Sequence, residues 1–142
     1  MFEIKYLISE RDIVDWYKQN DDTLYGYFWF VINNSVIGAP PIDNFPMDFV
    51  NENLLEWQRQ LLAVAGLKEG ESRKCYFCTV NRLNLVFRNI DDLRFEITCL
   101  RDNLQDWSIL IEKSLVIGEI EKFDKSFNNG ISYVMKNRLS DY

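Results

Sequence analysis

The sequence predicts an α+β fold in which an antiparallel sheet of about six strands packs against a central and a C-terminal helix. Several short stretches alternate apolar with polar residues, which is the pattern of half-buried strands. Short turns join these stretches, and short connections favour antiparallel neighbours. Two longer segments carry apolar residues three or four positions apart, as amphipathic helices do. The length of 142 residues fits a single domain, residues 1–142.

The first third of the chain predicts a strand, a short helix and an aromatic hairpin. Phe2 to Ile8 alternates with one clearly apolar face and predicts the N-terminal strand. Ser9 is a helix-capping residue, and Asn20 to Asp22 ends the short helix that follows it. Leu24 to Ile32 predicts the first strand of a hairpin, because Asn33-Asn34 is a dipeptide that tolerates the positive φ of a tight turn.

The hairpin strand has two chemically different faces. Phe28 and Phe30 lie on one face, which we expect to be part of the core. Tyr25, Tyr27 and Trp29 lie on the other, and each combines an apolar ring with a polar tip. This second face either lies under a helix or forms an exposed binding surface.

The rest of the chain predicts the central helix, a three-strand meander, a further strand and the C-terminal helix. Asn51 or Asn53 caps the central helix, which runs to about Ala65. The C-terminal helix begins at about Glu119, and Asn128 to Gly130 either weakens or splits it. The expected strands are Lys74 to Val80, Leu83 to Arg88 and Leu93 to Leu100 in the meander, and then Trp107 to Glu112.

Composition argues against the common kinds of catalytic site. The chain has no histidine, which excludes histidine triads and imidazole bases, and it contains no phosphate-binding glycine loop. Asp21-Asp22 and Asp91-Asp92 are carboxylate pairs, but they lie where turns are expected, and aspartate favours turns. We therefore expect no enzymatic activity, no cofactor and no metal.

The three cysteines are Cys75, Cys78 and Cys99. No secretory signal precedes this odd number of cysteines, so we expect a cytoplasmic protein with reduced thiols. Cys75 and Cys78 are three residues apart, but on a strand that spacing points them to opposite faces. We expect neither a disulfide nor a metal site.

Acidic residues are concentrated between Glu10 and Glu56. This segment has nine acidic residues against two basic ones, a balance of −7, in a chain whose net charge is −6. An acidic surface repels nucleic acid and attracts cationic partners. We predict that this segment supplies a face that binds another protein. Its expected contact residues are Asp21, Asp22, Tyr25, Tyr27, Trp29, Asp43, Asp48, Glu52 and Glu56.

The layout and the stretch from Gly26 to Gly38 resemble a known class of proteins. That stretch has the form G-x-F-x-F-x-I-N-N-x-x-I-G and lies between the short helix and the helix–meander–helix that follows. In this layout the chain resembles the small immunity proteins of bacterial polymorphic-toxin and contact-dependent growth inhibition systems. The resemblance implies a cytoplasmic inhibitor that binds one cognate toxin domain, often a nuclease. We expect no nucleic-acid, membrane or small-molecule partner.

Two other functions remain open from the sequence. One is a non-catalytic regulatory protein, or a phage-type inhibitor of a host enzyme. The other is a small enzyme that depends on carboxylates or a metal, with Asp21 and Asp22 or Asp91 and Asp92 at its centre.

Overall fold

The computed structural model describes residues 1–41, 52–77 and 82–142. Within these ranges the chain forms three helices: α1 (Glu10–Gln19), α2 (Leu54–Ala65) and α3 (Lys113–Asn137). It also forms eight strands: β1 (Phe2–Leu7), β2 (Tyr25–Ile32), β3 (Ser35–Ala39), β4 (Glu52–Asn53), β5 (Ser72–Tyr76), β6 (Leu83–Asn89), β7 (Arg94–Arg101) and β8 (Leu104–Glu112). The predicted α+β class is confirmed.

The strands are divided between two antiparallel sheets of four strands each, so the predicted single sheet is not confirmed. In the first sheet, β2 pairs with β1, β3 and the two-residue strand β4. The second sheet is a meander in the order β5-β6-β7-β8. Helix α2 lies in sequence between the strands of the first sheet and those of the second.

Both sheets turn one apolar face toward a shared hydrophobic core. Phe2 of the first sheet shows this most directly. Its ring centroid lies 5.8 Å from that of Phe30 in its own sheet and 6.2 Å from that of Phe87 in the second sheet. Trp57 of α2 enters the same core, with its ring 4.7 Å from Phe77 just after β5. Alternation within each strand identified the inward faces, but it carried no information about which strands are neighbours.

The prediction for Phe28 and Phe30 is confirmed, because both side chains are completely buried. Their rings meet edge to face with centroids 5.2 Å apart. Phe28 also stacks on the indole of Trp57 at 4.5 Å. Such contacts stabilise a core beyond the burial of apolar area alone. The phenylalanine face of β2 is therefore the structural centre of the fold.

The first two helices begin at the capping residues that the sequence predicts. Ser9 accepts a hydrogen bond from the Asp12 amide at 3.1 Å, which satisfies one of the free N–H groups at the start of α1. Asn53 does the same for α2 by accepting from the Leu55 amide at 3.2 Å. The alternative cap, Asn51, lies outside the described residues.

Helix α3 starts earlier than predicted, at Lys113 rather than Glu119, and it is not split. Its first turns bury Val116, which lies four residues before the buried Ile120. The apolar stretch after Lys113 therefore has the spacing of a helix, although its composition also fits a strand. The helix continues through Asn128 to Gly130. There the Gln58 amide of α2 donates to the Asn128 side-chain oxygen at 2.8 Å, which ties this part of the helix to its neighbour.

In the meander, the strands that follow the first turn lie close to their predicted positions. β5 (Ser72–Tyr76) starts slightly earlier than the predicted Lys74. The end of that predicted strand, including Cys78, lies outside the described residues. The predicted short turns give the observed antiparallel pairing of β6 with β7 and of β7 with β8.

Candidate partner-binding site

A small acidic pocket lies between α1 and the start of β2. Its volume is about 130 Å³. The helix contributes one wall, and the chain that leads into β2 contributes the other. The lining residues are Asp12, Asp15, Trp16, Gln19, Asp21, Thr23, Leu24 and Tyr25. The pocket therefore combines three carboxylates with two aromatic rings.

The amphipathic pattern of α1 explains why the carboxylates gather here. Ile13 and Val14 are buried in the core, which fixes the orientation of the helix. Asp12 and Asp15, three residues apart, share a neighbouring stripe of the helix and remain exposed. Neither makes an ion pair with any residue in the described ranges.

The two basic residues of α1 are both engaged by Tyr142. Lys18 donates a hydrogen bond to the backbone oxygen of Tyr142. The Arg11 guanidinium lies over the Tyr142 ring, 5.8 Å from its centroid. Arg11 and Lys18 are seven residues apart and so lie on one stripe of the helix, beside the stripe of Asp12 and Asp15. Both basic side chains of the helix thus contact Tyr142 rather than the pocket carboxylates.

Asp21 has a structural role at the rim of the pocket. Its Oδ1 accepts from both the amide and the hydroxyl of Thr23, each at 3.1 Å. This is the turn-forming role that the sequence predicts for Asp21. The neighbouring Asp22 is exposed and, within the described part of the chain, forms no ion pair.

The aromatic residues predicted as anchors have very different accessibility. Tyr25 is 50% exposed and lines the pocket, so it is available to a partner. Tyr27 is only 4% exposed and cannot be a surface contact in this conformation. Trp29 is half-buried further along the strand, where it pairs with Lys5 of β1. The face that carries these three residues is therefore neither uniformly covered nor uniformly open.

Glu52 also differs from its expected place in the partner-binding face. It is completely buried, and its carboxylate accepts a hydrogen bond from the indole N–H of Trp57 at 3.0 Å. A buried carboxylate needs such a partner, so Glu52 supports the core rather than the surface. Glu56 remains half-exposed on α2, but it pairs with Arg59, and the hydrogen bond from Arg59 lowers the pKa of the Glu56 carboxyl.

From the predicted set, the structure thus brings Asp21 and Tyr25 together at the pocket, and Asp22 follows Asp21 directly in the sequence. Asp43 and Asp48 lie outside the described residues. The sequence analysis did not select Asp12, Asp15 and Trp16 for the site. The helical spacing of α1 could have indicated these residues, because a helix that buries Ile13 and Val14 turns its other side chains toward solvent.

The cysteines of the second sheet form no candidate reactive centre. Cys75 and Cys99 are free, buried thiols on the inner face. Burial raises the pKa of the Cys75 thiol to about 12, and it also raises the pKa of Cys99. Thiols with raised pKa values are poor nucleophiles at neutral pH. Within residues 1–41, 52–77 and 82–142, no group of three or more metal-ligating side chains comes together.

Comparisons with known proteins give no family for this chain. No family model, curated protein or solved structure matches it. In the described part of the chain, no helix is long and apolar enough to cross a membrane.

Proposed function

We propose that this protein is a cytoplasmic immunity protein that binds and neutralises a cognate bacterial toxin domain without catalysing a reaction. The proposed binding face is the acidic pocket between α1 and β2 together with its rim. A nuclease toxin is the expected partner, because an enzyme that binds phosphates presents a basic surface. The resemblance in layout to immunity proteins supports the same class.

The observation that carries this proposal is the lack of charge compensation around the pocket. Asp12, Asp15 and Asp22 are exposed and have no ion-pair partner among the described residues. Neighbouring like charges that no counter-charge offsets give no benefit to the free fold. They do raise the association rate of a partner of opposite charge and select against partners of like charge.

The shape of the pocket supports a protein partner with basic side chains. Lysine and arginine combine an apolar stem with a charged end. The rings of Trp16 and Tyr25 offer surface for the stem, and the three carboxylates offer acceptors for the charge. An aromatic residue at the centre of a contact, with charges at its rim, is the usual composition of a binding hot spot.

The test is to co-express the protein with the toxin domain encoded beside its gene, purify the complex, and measure the association rate. Asp12, Asp15 and Asp22 are then replaced together with asparagine. Asp21 is left intact because its bonds to Thr23 shape the turn. We expect the association rate at low salt to fall by roughly tenfold or more, and the difference to shrink as salt rises.

A matched control removes the same number of negative charges elsewhere. Glu69, Asp92 and Glu121 are exposed and do not line the pocket. Their replacement by the corresponding amides should change the association rate much less. Equal effects of the two triple variants would assign the result to net charge and contradict this binding face. Failure to bind any toxin encoded beside the gene would contradict the proposed function.

A further inference from the structure

The edges of the two sheets are protected to very different degrees. An edge strand exposes backbone N–H and C=O groups that can pair with another strand, and proteins usually shorten or cover such edges. In the first sheet, β3 has five residues and contains Gly38 at φ 115°, and β4 has only two residues. Short or irregular strands of this kind offer little for another strand to pair with.

Two further edges are covered by side chains. The Ile4 amide on β1 donates to the Glu119 carboxylate of α3 at 3.2 Å. On β5, the buried Gln60 amide of α2 acts like a neighbouring strand. Its oxygen accepts from the Tyr76 amide at 2.9 Å, and its nitrogen donates to the Tyr76 carbonyl at 3.4 Å. Strand β5 also carries Arg73 and Lys74, and charged residues discourage pairing at an edge.

Among the residues that the structure describes, nothing gives strand β8 either kind of protection along its regular part. It is nine residues long and pairs on one side with β7. Within the described ranges, no side chain forms a hydrogen bond to its backbone. Its solvent face presents Leu110, which is 55% exposed, and Leu104 at the start of the strand is 73% exposed. The strand is irregular only near Leu104 to Trp107, opposite the shift in register at Cys99 and Leu100.

A pocket opens beside the inner face of this strand. Its volume is about 160 Å³. Trp107 and Ile109 of β8 form one side, and the tip of the β2–β3 hairpin forms the other through Ile32, Asn33 and Ser35. A strand added next to β8 would place every second side chain on the face of Trp107 and Ile109. Apolar side chains at that spacing would fill the pocket.

We propose that β8 pairs in antiparallel fashion with β8 of a second copy of this chain, across a two-fold axis that passes beside Ser108 or Leu110. In this arrangement the second sheet of one copy and the second sheet of the other join into one continuous sheet of eight strands. Antiparallel self-pairing places the inner face of β8 in one copy beside the inner face of β8 in the other. Each pocket is then filled by an apolar side chain of the other copy. The strand itself supplies the required spacing through Trp107, Ile109 and Ile111.

The charges of β8 restrict where the axis can lie. In a regular antiparallel register, an axis beside Ile109 would place Asp106 opposite Glu112, and like charges directly opposite each other are destabilising. An axis beside Ser108 or Leu110 avoids this pairing. Asp106 lies at the irregular end and is bonded to Arg101 of its own chain at 2.8 Å. The regular part, from Trp107 to Ile111, contains no charged residue. Across a two-fold axis each apolar contact between two different residues forms twice, once on each side of the axis. This is the usual way in which a self-complementary patch forms a dimer.

The proposed dimer leaves the acidic pocket open. That pocket includes Tyr25 at the start of β2, whereas the pocket beside β8 includes Ile32 at its end. Eight residues of extended strand separate the two by roughly 20 Å. Self-association and toxin binding are therefore separate properties, and either can fail without the other.

The first experiment is sedimentation velocity of the full chain over a range of concentrations. We expect a concentration-dependent species with twice the mass of one chain. Leu110→Glu adds a charge to each side of the two-fold contact and removes apolar contact twice, so we expect roughly tenfold weaker dimerisation or more. The matched control is Leu62→Glu, the same change at an exposed leucine of α2, which should dimerise like the unmodified protein. A melting curve for each variant checks that the fold is intact.

The second experiment locates the axis by disulfide cross-linking. Residues opposite each other across an antiparallel pair lie about 4.5–5.5 Å apart. The residue beside the two-fold axis lies opposite its own copy, so Ser108→Cys and Leu110→Cys are tested singly, and we expect one of them to give a covalent dimer under mild oxidation. Leu62→Cys and the unmodified chain measure the background. A monomer at every soluble concentration would overturn the proposal. So would a dimer that is insensitive to Leu110→Glu and is not cross-linked at either position.

Discussion

The carboxylates around the α1 pocket and the arginines of the second sheet differ in whether oppositely charged residues lie beside them. In the second sheet, arginines of the strands and turns have acidic partners close in sequence or on the adjacent strand. These pairs are Arg82–Asp102, Arg88–Glu96, Arg94–Asp91 and Arg101–Asp106, with separations from 2.8 to 4.0 Å. Around the α1 pocket, by contrast, Asp12, Asp15 and Asp22 have no such partner in the described part of the chain.

This difference separates charges that serve the fold from charges available to a partner. The second sheet and its turns carry several arginines, but local pairing with acidic residues largely neutralises their charges. Exposed ion pairs contribute little to stability, yet they remove the net field that would attract an anionic partner. The carboxylates around the α1 pocket have no ion-pair partner among the described residues and keep their field, which is why this pocket is the stronger candidate for recognition.

The largest expected effect comes from the core on which both regions depend. Phe28→Ala removes a buried ring that stacks on Trp57, and it should cost about 3–5 kcal/mol in the free energy of unfolding. Tyr25→Ala, on the same strand but half-exposed at the pocket, should cost much less. Urea unfolding of both variants measures the difference. A cost for Phe28→Ala below about 1 kcal/mol would contradict the assignment of this face to the core.

A smaller effect is expected for a carboxylate that the fold uses. Asp91 accepts hydrogen bonds from the Leu93 and Arg94 amides at 2.9 Å, and the bond from Leu93 is the main reason that the pKa of Asp91 is lowered. Because the pKa is lower in the folded protein than in the unfolded one, the ionised carboxylate stabilises the fold at any pH above the unfolded-state pKa. This stabilisation is lost as the pH falls through the folded-state pKa. Asp91→Asn should therefore lower the melting temperature at neutral pH.

The control for this change is the adjacent, exposed Asp92. Asp92→Asn should leave the melting temperature nearly unchanged. The difference between the Asp91 variant and the unmodified protein should narrow as the solution is acidified. Equal behaviour of the two variants, or a difference that widens in acid, would show that Asp91 has no special role in the turn.

The smallest expected effect is at the proposed binding face. Asp15→Asn and Asp22→Asn should each leave the free energy of unfolding within about 0.5 kcal/mol of the original value, because neither carboxylate has an ion pair with a described residue to lose. Thermal melting at low and high salt measures this. A clear loss of stability in either variant would indicate a structural role, and the contrast with the meander would then no longer hold.

Much of the local structure was predictable because its causes are local. Ser9 and Asn53 cap helices through bonds to residues two or three positions away. The alternation of β2 placed Phe28 and Phe30 in the core because successive side chains of a strand point to opposite faces. The boundary between β8 and α3 was predicted less well. The apolar run after Lys113 fits a strand and a helix equally, and only packing of Val116 decides between them.

The sequence by itself determined the α+β class, the helix caps, the core face of β2 and the acidic character of the first third of the chain. The tertiary structure alone decided that the strands form two sheets, and that Tyr27 and Glu52 are buried while Tyr25 is exposed. It also placed Asp12, Asp15 and Trp16 at one pocket with Tyr25. Periodicity is a property of neighbours along the chain, whereas burial and pocket formation depend on which distant segments lie against each residue.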